Sequence, residues 1–295
     1  MKWMQYRGFY FGLSLLIIVP GIAAMGLWGF KPAIDFTGGS LVEVTITPLP
    51  DKTVNETTVR EAVEKMQVKL SSVQLLSEGA VLVKMEPIDQ AKLERIKQTW
   101  RENLGEVEER RFETVGPTLG KELLMKTVTA IALAAGLILL YIAYRFRSMK
   151  FGICAVTAML HDTLVLLGSF SLLGHFYSVE VDTLFVTALL TILSFSVHDT
   201  IVVYDRIRET KKLNPKLGFE DVVNQAVTTT LSRSINNSMT IIFMLLALFL
   251  LGGATIRWFV LALLIGTVSG TYSSTFTAAP LLVVWEKVAH KTKSI

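Results

Sequence analysis

The residue that most invites a chemical reading is Asp199, within Phe195-Ser-Val-His-Asp-Thr-Ile-Val-Val-Tyr-Asp-Arg-Ile-Arg-Glu209, an apolar run of the kind that spans a membrane. A carboxylate in hydrocarbon is costly unless it is neutralised, paired or hydrated. At about 3.6 residues per turn, Ser196, Asp199, Val203 and Arg206 share one helix face. Asp199 lies roughly 9 Å along the axis from Asp205, at about 1.5 Å per residue. That depth is beyond the basic boundary at Arg206 and Arg208 and inside the membrane. Desolvation there disfavours the charged form, which is what a protonation switch requires. The alternative is a static ion pair with no part in transport, and the residues alone leave both readings open.

A partner for the carboxylate stands in Thr228-Thr-Thr-Leu-Ser-Arg-Ser-Ile-Asn-Asn-Ser-Met-Thr240, the start of a later span that is dense in hydroxyls and amides. Arg233 either snorkels to the membrane interface or faces Asp199, with Asn236, Asn237 and Thr240 completing a hydrated polar seam. His161 and Asp162, midway along another span, are candidates for the same seam. His198 sits about 100° around the helix from Asp199 and need not share its neighbours. Gly266, Thr267, Ser269, Gly270, Ser273, Ser274 and Thr275 read as small residues for close helix packing rather than a substrate path.

Other chemistries are set aside. Gly116-Pro-Thr-Leu-Gly-Lys121 has one residue too few between its glycines for a phosphate loop, and Glu122 stands where a magnesium-binding hydroxyl belongs. There is no dinucleotide fingerprint and no HExxH. His161, His175, His198 and His290 lack ligand spacing. Cys154, the one cysteine, reads as a buried inert thiol. No metal, cofactor or enzymatic activity is expected.

The elements that must position these residues follow from hydropathy. Of 295 residues 51% are hydrophobic, gathered in blocks. Blocks near 9–30, 124–144, 150–174, 183–204, 238–256 and 259–285 are each long enough to span (about 20 residues), so six transmembrane helices are expected. The first is too long for a signal-peptide core and reads as an uncleaved anchor. Lys2 and Arg7 precede it; Arg145, Arg147 and Lys150 separate the second and third spans. Arg206, Arg208, Lys211, Lys212 and Lys216 follow the fourth, and Lys287, Lys291 and Lys293 close the chain. The positive-inside rule then puts both termini in the cytoplasm. The net charge of +4 is explained by this topology and gives no reason to expect nucleic-acid binding.

Residues 31–122 are the only long polar segment, placed by topology on the outer side. Ser40–Thr47 reads as a strand, and Val54–Leu70 as a helix with Val59, Ala62, Val63, Met66 and Leu70 on one face. Val73–Leu76 and Ala80–Met85 read as strands joined by a turn at Glu78-Gly79. Pro87 opens a second helix ending near Gly105, and Val107–Val115 is a last strand. The order βαββαβ is that of a ferredoxin-like unit, a fold that by itself says nothing of chemistry. The expected architecture is a polytopic α-helical membrane protein with residues 1–30 as first span, 31–122 as one α+β domain, and 123–295 as a bundle with a cytoplasmic loop at 205–227. Within that loop, Phe219–Val227 reads as a short amphipathic helix, either a membrane-surface element or partner contact or a plain connector.

Several motifs coincide with one family. Ser196–Glu209 resembles the fourth-helix signature of SecF, a bacterial protein-export subunit of the SecD/SecF family in the resistance-nodulation-division superfamily. Asp35-Phe-Thr-Gly-Gly39 resembles its motif leading into the periplasmic domain. Val115-Gly-Pro-Thr-Leu-Gly-Lys-Glu-Leu123 is similar to the motif before the second helix, and Thr230-Leu-Ser-Arg-Ser-Ile-Asn236 to that of the fifth. His198 departs from the pattern, which often has asparagine there. The resemblance implies a subunit of the bacterial inner membrane that works with a SecD-like subunit and the SecYEG channel. It would use the proton gradient to assist late translocation of exported unfolded polypeptide. It also assigns Asp199 and Arg233 to the proton pathway, and marks Asp35, Gly38, Gly39, Gly116, Pro117, Gly120, Asp205 and Arg206 as structural. The alternatives are half of a small-molecule exporter of the same superfamily, or a scaffold that does not transport.

Overall fold

A computed structural model describes residues 1–50, 52–64, 66–75, 79–146 and 148–293, and of Ala62, Ala254 and residues 290–293 the backbone only. Among these, six helical stretches are long and apolar enough to cross a membrane, as the hydropathy pattern leads one to expect: Trp3–Leu27, Pro117–Phe146, Met149–Tyr177, Thr183–Leu213, Phe219–Leu251 and Thr255–Ala289. The chain divides into two units, Met1–Lys31 with Thr129–Ile295, and Pro32–Val128.

The first unit is a helix bundle. Its helices are α1 (Arg7–Leu27) and, after the inserted segment whose elements are named below, the part of α5 (Pro117–Phe146) from Thr129 onward, α6 (Met149–Tyr177), α7 (Thr183–Leu213), α8 (Phe219–Leu251), α9 (Ala254–Ser273) and α10 (Ala279–Lys293). A π-helical turn, Ser274–Ala278, joins α9 to α10. Lipid is as apolar as leucine, so close packing and polar bonds, rather than the hydrophobic effect, must hold helices together in it. Close packing is evident between α1 and α6, where a Cβ on Gly168 would lie 2.5 Å from Gly21 Cα. One apolar cluster joins Met159 of α6 to Tyr204, Val223, Val227 and Leu282. Another joins Leu166 and Phe170 of α6 to Phe185, Leu189 and Ala262. Along α6, His161 and Asp162 fall between them.

The expected short helix at Phe219–Val227 is not separate. It forms the first turns of α8, and its Val222, Val223, Ala226 and Val227 are buried in the first cluster rather than laid on a membrane surface. The N-terminal residues cover its start: Met4 N–H donates to Asn224 Oδ1 at 2.9 Å, and Trp3 Nε1–H to Thr228 Oγ1 at 3.0 Å.

The second unit contains α2 (Ile34–Thr37), β1 (Gly39–Pro48), α3 (Glu56–Glu64), β2 (Leu70–Leu75), β3 (Ala80–Met85), α4 (Gln90–Asn103) and β4 (Gly105–Val115). The sheet runs β2-β3-β1-β4 with every neighbour antiparallel, which is the ferredoxin-like arrangement expected. In β1, Val42, Val44 and Ile46 are buried at period two, and meet Val59 and Val63 of α3 and Leu93, Ile96 and Trp100 of α4. Both helices start or end differently from the reading of the sequence. The first is described over Glu56–Glu64; Gln67 takes φ +58°, and Leu70 begins β2 opposite Met85. The second starts at Gln90 rather than Pro87, because the Asp89 carboxylate accepts from Lys92 N–H at 2.8 Å and caps it there. Leu76, Glu78 and Arg147 lie outside the described residues.

Lys97, nearly buried on α4, donates to Glu94 at 2.6 Å and Glu109 at 2.8 Å. Burial opposes the lysine charge, but the hydrogen bonds and charges of Glu109 and Glu94 outweigh it, and its ammonium titrates above the ordinary lysine value. The bond to Lys97 holds Glu94 below the ordinary carboxylate value. A raised ammonium stabilises the fold below its unfolded pKa and ceases to do so as pH rises through the folded one. A depressed carboxylate contributes above its unfolded pKa and ceases to as pH falls. The cluster therefore acts between about pH 4.3 and 10.4. Lys97→Met should cost this domain about 1–2 kcal/mol at neutral pH, read by hydrogen exchange in the full-length chain. The gap from the wild type should narrow below about pH 4.

Candidate functional site

Two carboxylates lie inside the bundle, and serine hydroxyls surround both. Asp199 of α7 accepts from Ser234 Oγ of α8 at 2.8 Å and from Ser274 Oγ of the π turn. Asp162 of α6 is fully buried (0% exposed). It accepts from Ser196 Oγ of α7 at 2.5 Å and from Ser269 and Ser273 of α9 at 2.6 and 2.5 Å. His161 Nδ1 lies 3.0 Å from Asp162 Oδ1, and its Nε2 lies 3.0 Å from Ser14 Oγ of α1. Ser273 and Ser274 are successive residues, so one peptide unit serves both acids.

The local reasons are geometric. Ser269 and Ser273 are one helical turn apart and so project together. α7 and α9 approach closely because Gly270 faces Ser196; a Cβ on it would sit 3.3 Å from Ser196 Cβ. Nearby, a Cβ on Gly266 would overlap Ile192. The small residues of the last span do permit close packing, and that packing brings the hydroxyls to the acids. The sequence reading assigned them packing alone. Ser14 and Ser234 are missed too, because a serine in a span serves close packing and hydrogen bonding alike.

The proposed seam is assembled differently from the sequence expectation. Ser196 and Asp162 do enter it, with Asp199 bonded beside them. Arg233, Asn236, Asn237 and Thr240 do not, because they share the exposed face of α8 while Thr230, Ser234 and Ser238 share the buried one. Residues 233 and 234 differ by about 100° around the axis, which suffices to turn the arginine outward. Among the described residues no lysine or arginine pairs with Asp199 or Asp162, and Arg233 forms no ion pair. Arg233 instead lines an open cavity of about 620 Å³ together with Asp205, Arg206, Arg208, Glu209 and Lys212. There Asp205 accepts from Arg145 at 2.8 Å, and Arg206 donates to Glu209 at 2.8 Å and Thr229 at 3.0 Å. His198 is exposed, away from Asp199. Cys154 is buried.

The remaining motif residues meet one another inside the second unit. Gly39 pairs with Val115 in the sheet. Gly38 has φ +74°, and a Cβ there would lie 2.8 Å from Pro117 Cα; one on Gly120 would lie 3.0 Å from Phe36 O. Asp35 lies in the first turn of the short helix that leads into this contact, and a Cβ on Gly116 would meet nothing within 4 Å. The glycines at Gly38 and Gly120 are what let the two connecting strands of backbone touch.

These features define a multi-pass helical membrane protein with buried acids in its bundle and a βαββαβ domain between its first two spans. Residues 95–288 match the family model described as protein export membrane protein SecD/SecF, C-terminal. Protein translocase subunit SecF of Thermobaculum terrenum is 45% identical, over 96% of this chain and 93% of that one. The corresponding subunit of Anaerolinea thermophila is 39% identical, over 95% and 92%. The crystal structure of SecDF, a translocon-associated membrane protein from Thermus thermophilus, superposes with a TM-score of 0.83 at 34% identity, over 97% of this chain. The chain spans 39% of that longer protein. It belongs to the SecD/SecF family of protein-export membrane proteins.

The hydroxyl cage and the outward arginine differ in what their loss should do. Ser274→Ala removes a donor from a buried carboxylate and should cost the purified chain about 1–2 kcal/mol of unfolding free energy at neutral pH. Arg233→Ala should stay within about 0.5 kcal/mol. Unfolding in mixed detergent micelles distinguishes them; equal losses would mean that Arg233 reaches Asp199 after all.

Proposed function

We propose that this chain, joined to a SecD-type subunit, uses the proton gradient to assist late translocation of exported polypeptide through the SecYEG channel. The observation that carries the reading is Asp199, buried in a membrane helix and held by hydroxyls without a cation. A negative charge so placed is expensive, and a proton is the simplest group to neutralise it. Binding and release of that proton would change the hydrogen bonds between α7, α8 and the π turn.

The partner is supported by two observations. The SecDF protein of Thermus thermophilus is more than twice as long as this chain, which matches it over 92% of its own residues and 37% of SecDF. The polar face of α8 bearing Arg233, Asn236, Asn237 and Thr240 is turned out of the bundle. Polar groups at that depth are poorly suited to lipid, and a second helical subunit would give them partners. Arg233 would then act at the joint between subunits, with Asp199 one step further in.

The basic residues flanking the spans, Lys2, Arg7, Arg145, Lys150, Arg206, Arg208 and Lys287 among them, support cytoplasmic termini by the positive-inside rule. This fits the inner membrane of a bacterium. The touching segments Asp35–Gly39 and Gly116–Gly120 would carry changes in the bundle to the βαββαβ domain, where it engages emerging unfolded chain.

Proteoliposomes holding this chain, its partner subunit and the channel provide the test. Asp199→Asn should abolish proton flux and the gradient-dependent part of secretion, and Arg233→Ala should reduce both at least about tenfold (roughly 1.4 kcal/mol on the barrier). Normal flux with normal secretion in Asp199→Asn would leave only a scaffold. Expulsion of small hydrophobic compounds with unaltered secretion would point to an exporter instead.

A further inference from the structure

The proton-coupled reading gives Asp162 and His161 no task, although Asp162 is the more completely buried of the two acids. We propose that His161 and Asp162 together hold one exchangeable proton and that Ser273 and Ser274 pass its gain or loss to Asp199. This deepens the function proposed above and rests on it.

Every side chain bonded to Asp162 is a hydroxyl except the His161 imidazole, and among the described residues no lysine or arginine pairs with it. Both carboxylate oxygens accept, which suits the ionised form. An isolated negative charge in the bundle is costly, whereas an imidazolium 3.0 Å away makes the pair neutral.

The pair also has a route for the proton's hydrogen bonds. With His161 neutral, Nδ1–H donates to Asp162, and Nε2 accepts from the Ser14 hydroxyl. A proton added to the Nε2 lone pair turns that bond round, so that Nε2–H donates to Ser14 Oγ. The hydroxyl hydrogen of Ser14 then needs another acceptor. The Tyr272 oxygen supplies one, since Tyr272 interacts with Ser14 and donates its own hydrogen to Tyr10 O at 2.7 Å. Proton gain thus re-aims one bond between α1 and α6 and leaves Asp162 bonded to His161.

Serines link the pair to Asp199. Ser196 bonds Asp162 from three residues before Asp199 on α7. Ser273 bonds Asp162, and its neighbour Ser274 bonds Asp199. Ser274 also opens the π turn, a wider helical segment found often at functional sites. The buried hydroxyls of Thr275 and Thr277 on that turn, and of Thr200 beside Asp199, have no protein partner, so donors are available when the turn rearranges. Among the described residues the titratable side chain in contact with the pair is Tyr272 of α9, whose ring stacks on His161 with centroids 6.1 Å apart; Tyr10 of α1 lies behind Tyr272, and Asp199 of α7 is reached through the serines. Ser234 of α8 donates to Asp199, and Ser238 accepts from Thr271 of α9.

Nitrogen-15 spectra of histidine-labelled full-length chain in nanodiscs test this, with His161 assigned through His161→Gln. The His161 ring nitrogens should titrate between about pH 5 and 9, and Asp162→Asn should lower the proton affinity at least about tenfold. Asp199→Asn should shift the titration, and Ser273→Ala with Ser274→Ala should remove that shift. A His161 signal unchanged over this range overturns the proton site. A shift that persists without the two serines overturns the link. Should Asp162→Asn fail to fold, the pH profile of proton flux in the His161→Gln complex decides: a displaced profile supports the site and an identical one overturns it. Flux that survives Asp199→Asn sinks the underlying reading, whereas Asp199-dependent flux with a silent His161 sinks this inference alone.

Discussion

Everything in the bundle depends on how two carboxylates are solvated where water is scarce. Five serines, from α7, α8, α9 and the π turn, supply hydroxyl donors to Asp162 and Asp199, and His161 adds an imidazole. Hydroxyls stabilise a charge without cancelling it, which a tight pair with arginine would do. The requirement reaches into the packing. The hydroxyls reach the acids only because α7 and α9 touch at Gly270 and Ser196 and near Gly266. The glycines are therefore part of the electrostatics as well as of the helix contacts.

The βαββαβ domain answers to different physics. It has its own apolar core beneath an antiparallel sheet, with Trp100 donating to Val59 O at 3.3 Å to join its two helices. Its ion cluster at Lys97 uses paired charges close to water, where pairing is inexpensive. The chain enters and leaves it through Gly38 and Gly120, which lie backbone to backbone. A side chain at either position would push the two connections apart.

Much of this was legible from residue order. Hydropathy blocks gave six spans because the bilayer sets their length, and alternation in Val42, Val44 and Ile46 gave the sheet because one face is buried. Asp199 stood out for the same reason that it is costly. The direction of α8 was not legible. Its two polar faces, one with Arg233, Asn236, Asn237 and Thr240 and one with Thr230, Ser234 and Ser238, are separated by about one residue's rotation. In a membrane helix apolar side chains surround both, so amphipathicity does not say which face is inward. Opposite charge suggested Arg233 as the partner of Asp199, and the packing chose serine. Small residues carry a similar ambiguity, since serine serves close packing and hydrogen bonding alike; the contact with Asp162 appears only when helices distant in sequence are brought together. The helix ends in the domain slipped for local reasons, the Asp89 cap and the left-handed turn at Gln67, that hydrophobic period does not encode.

The central claim is that Asp199 is neutralised by a proton and not by a cation. The most direct measurement is the pH-difference infrared spectrum of the full-length chain with its partner in a lipid bilayer, recorded for the wild type and for Asp199→Asn. The account predicts a carboxylic-acid carbonyl band that grows on acidification and is missing from the variant. Identical difference spectra for the two proteins would contradict it.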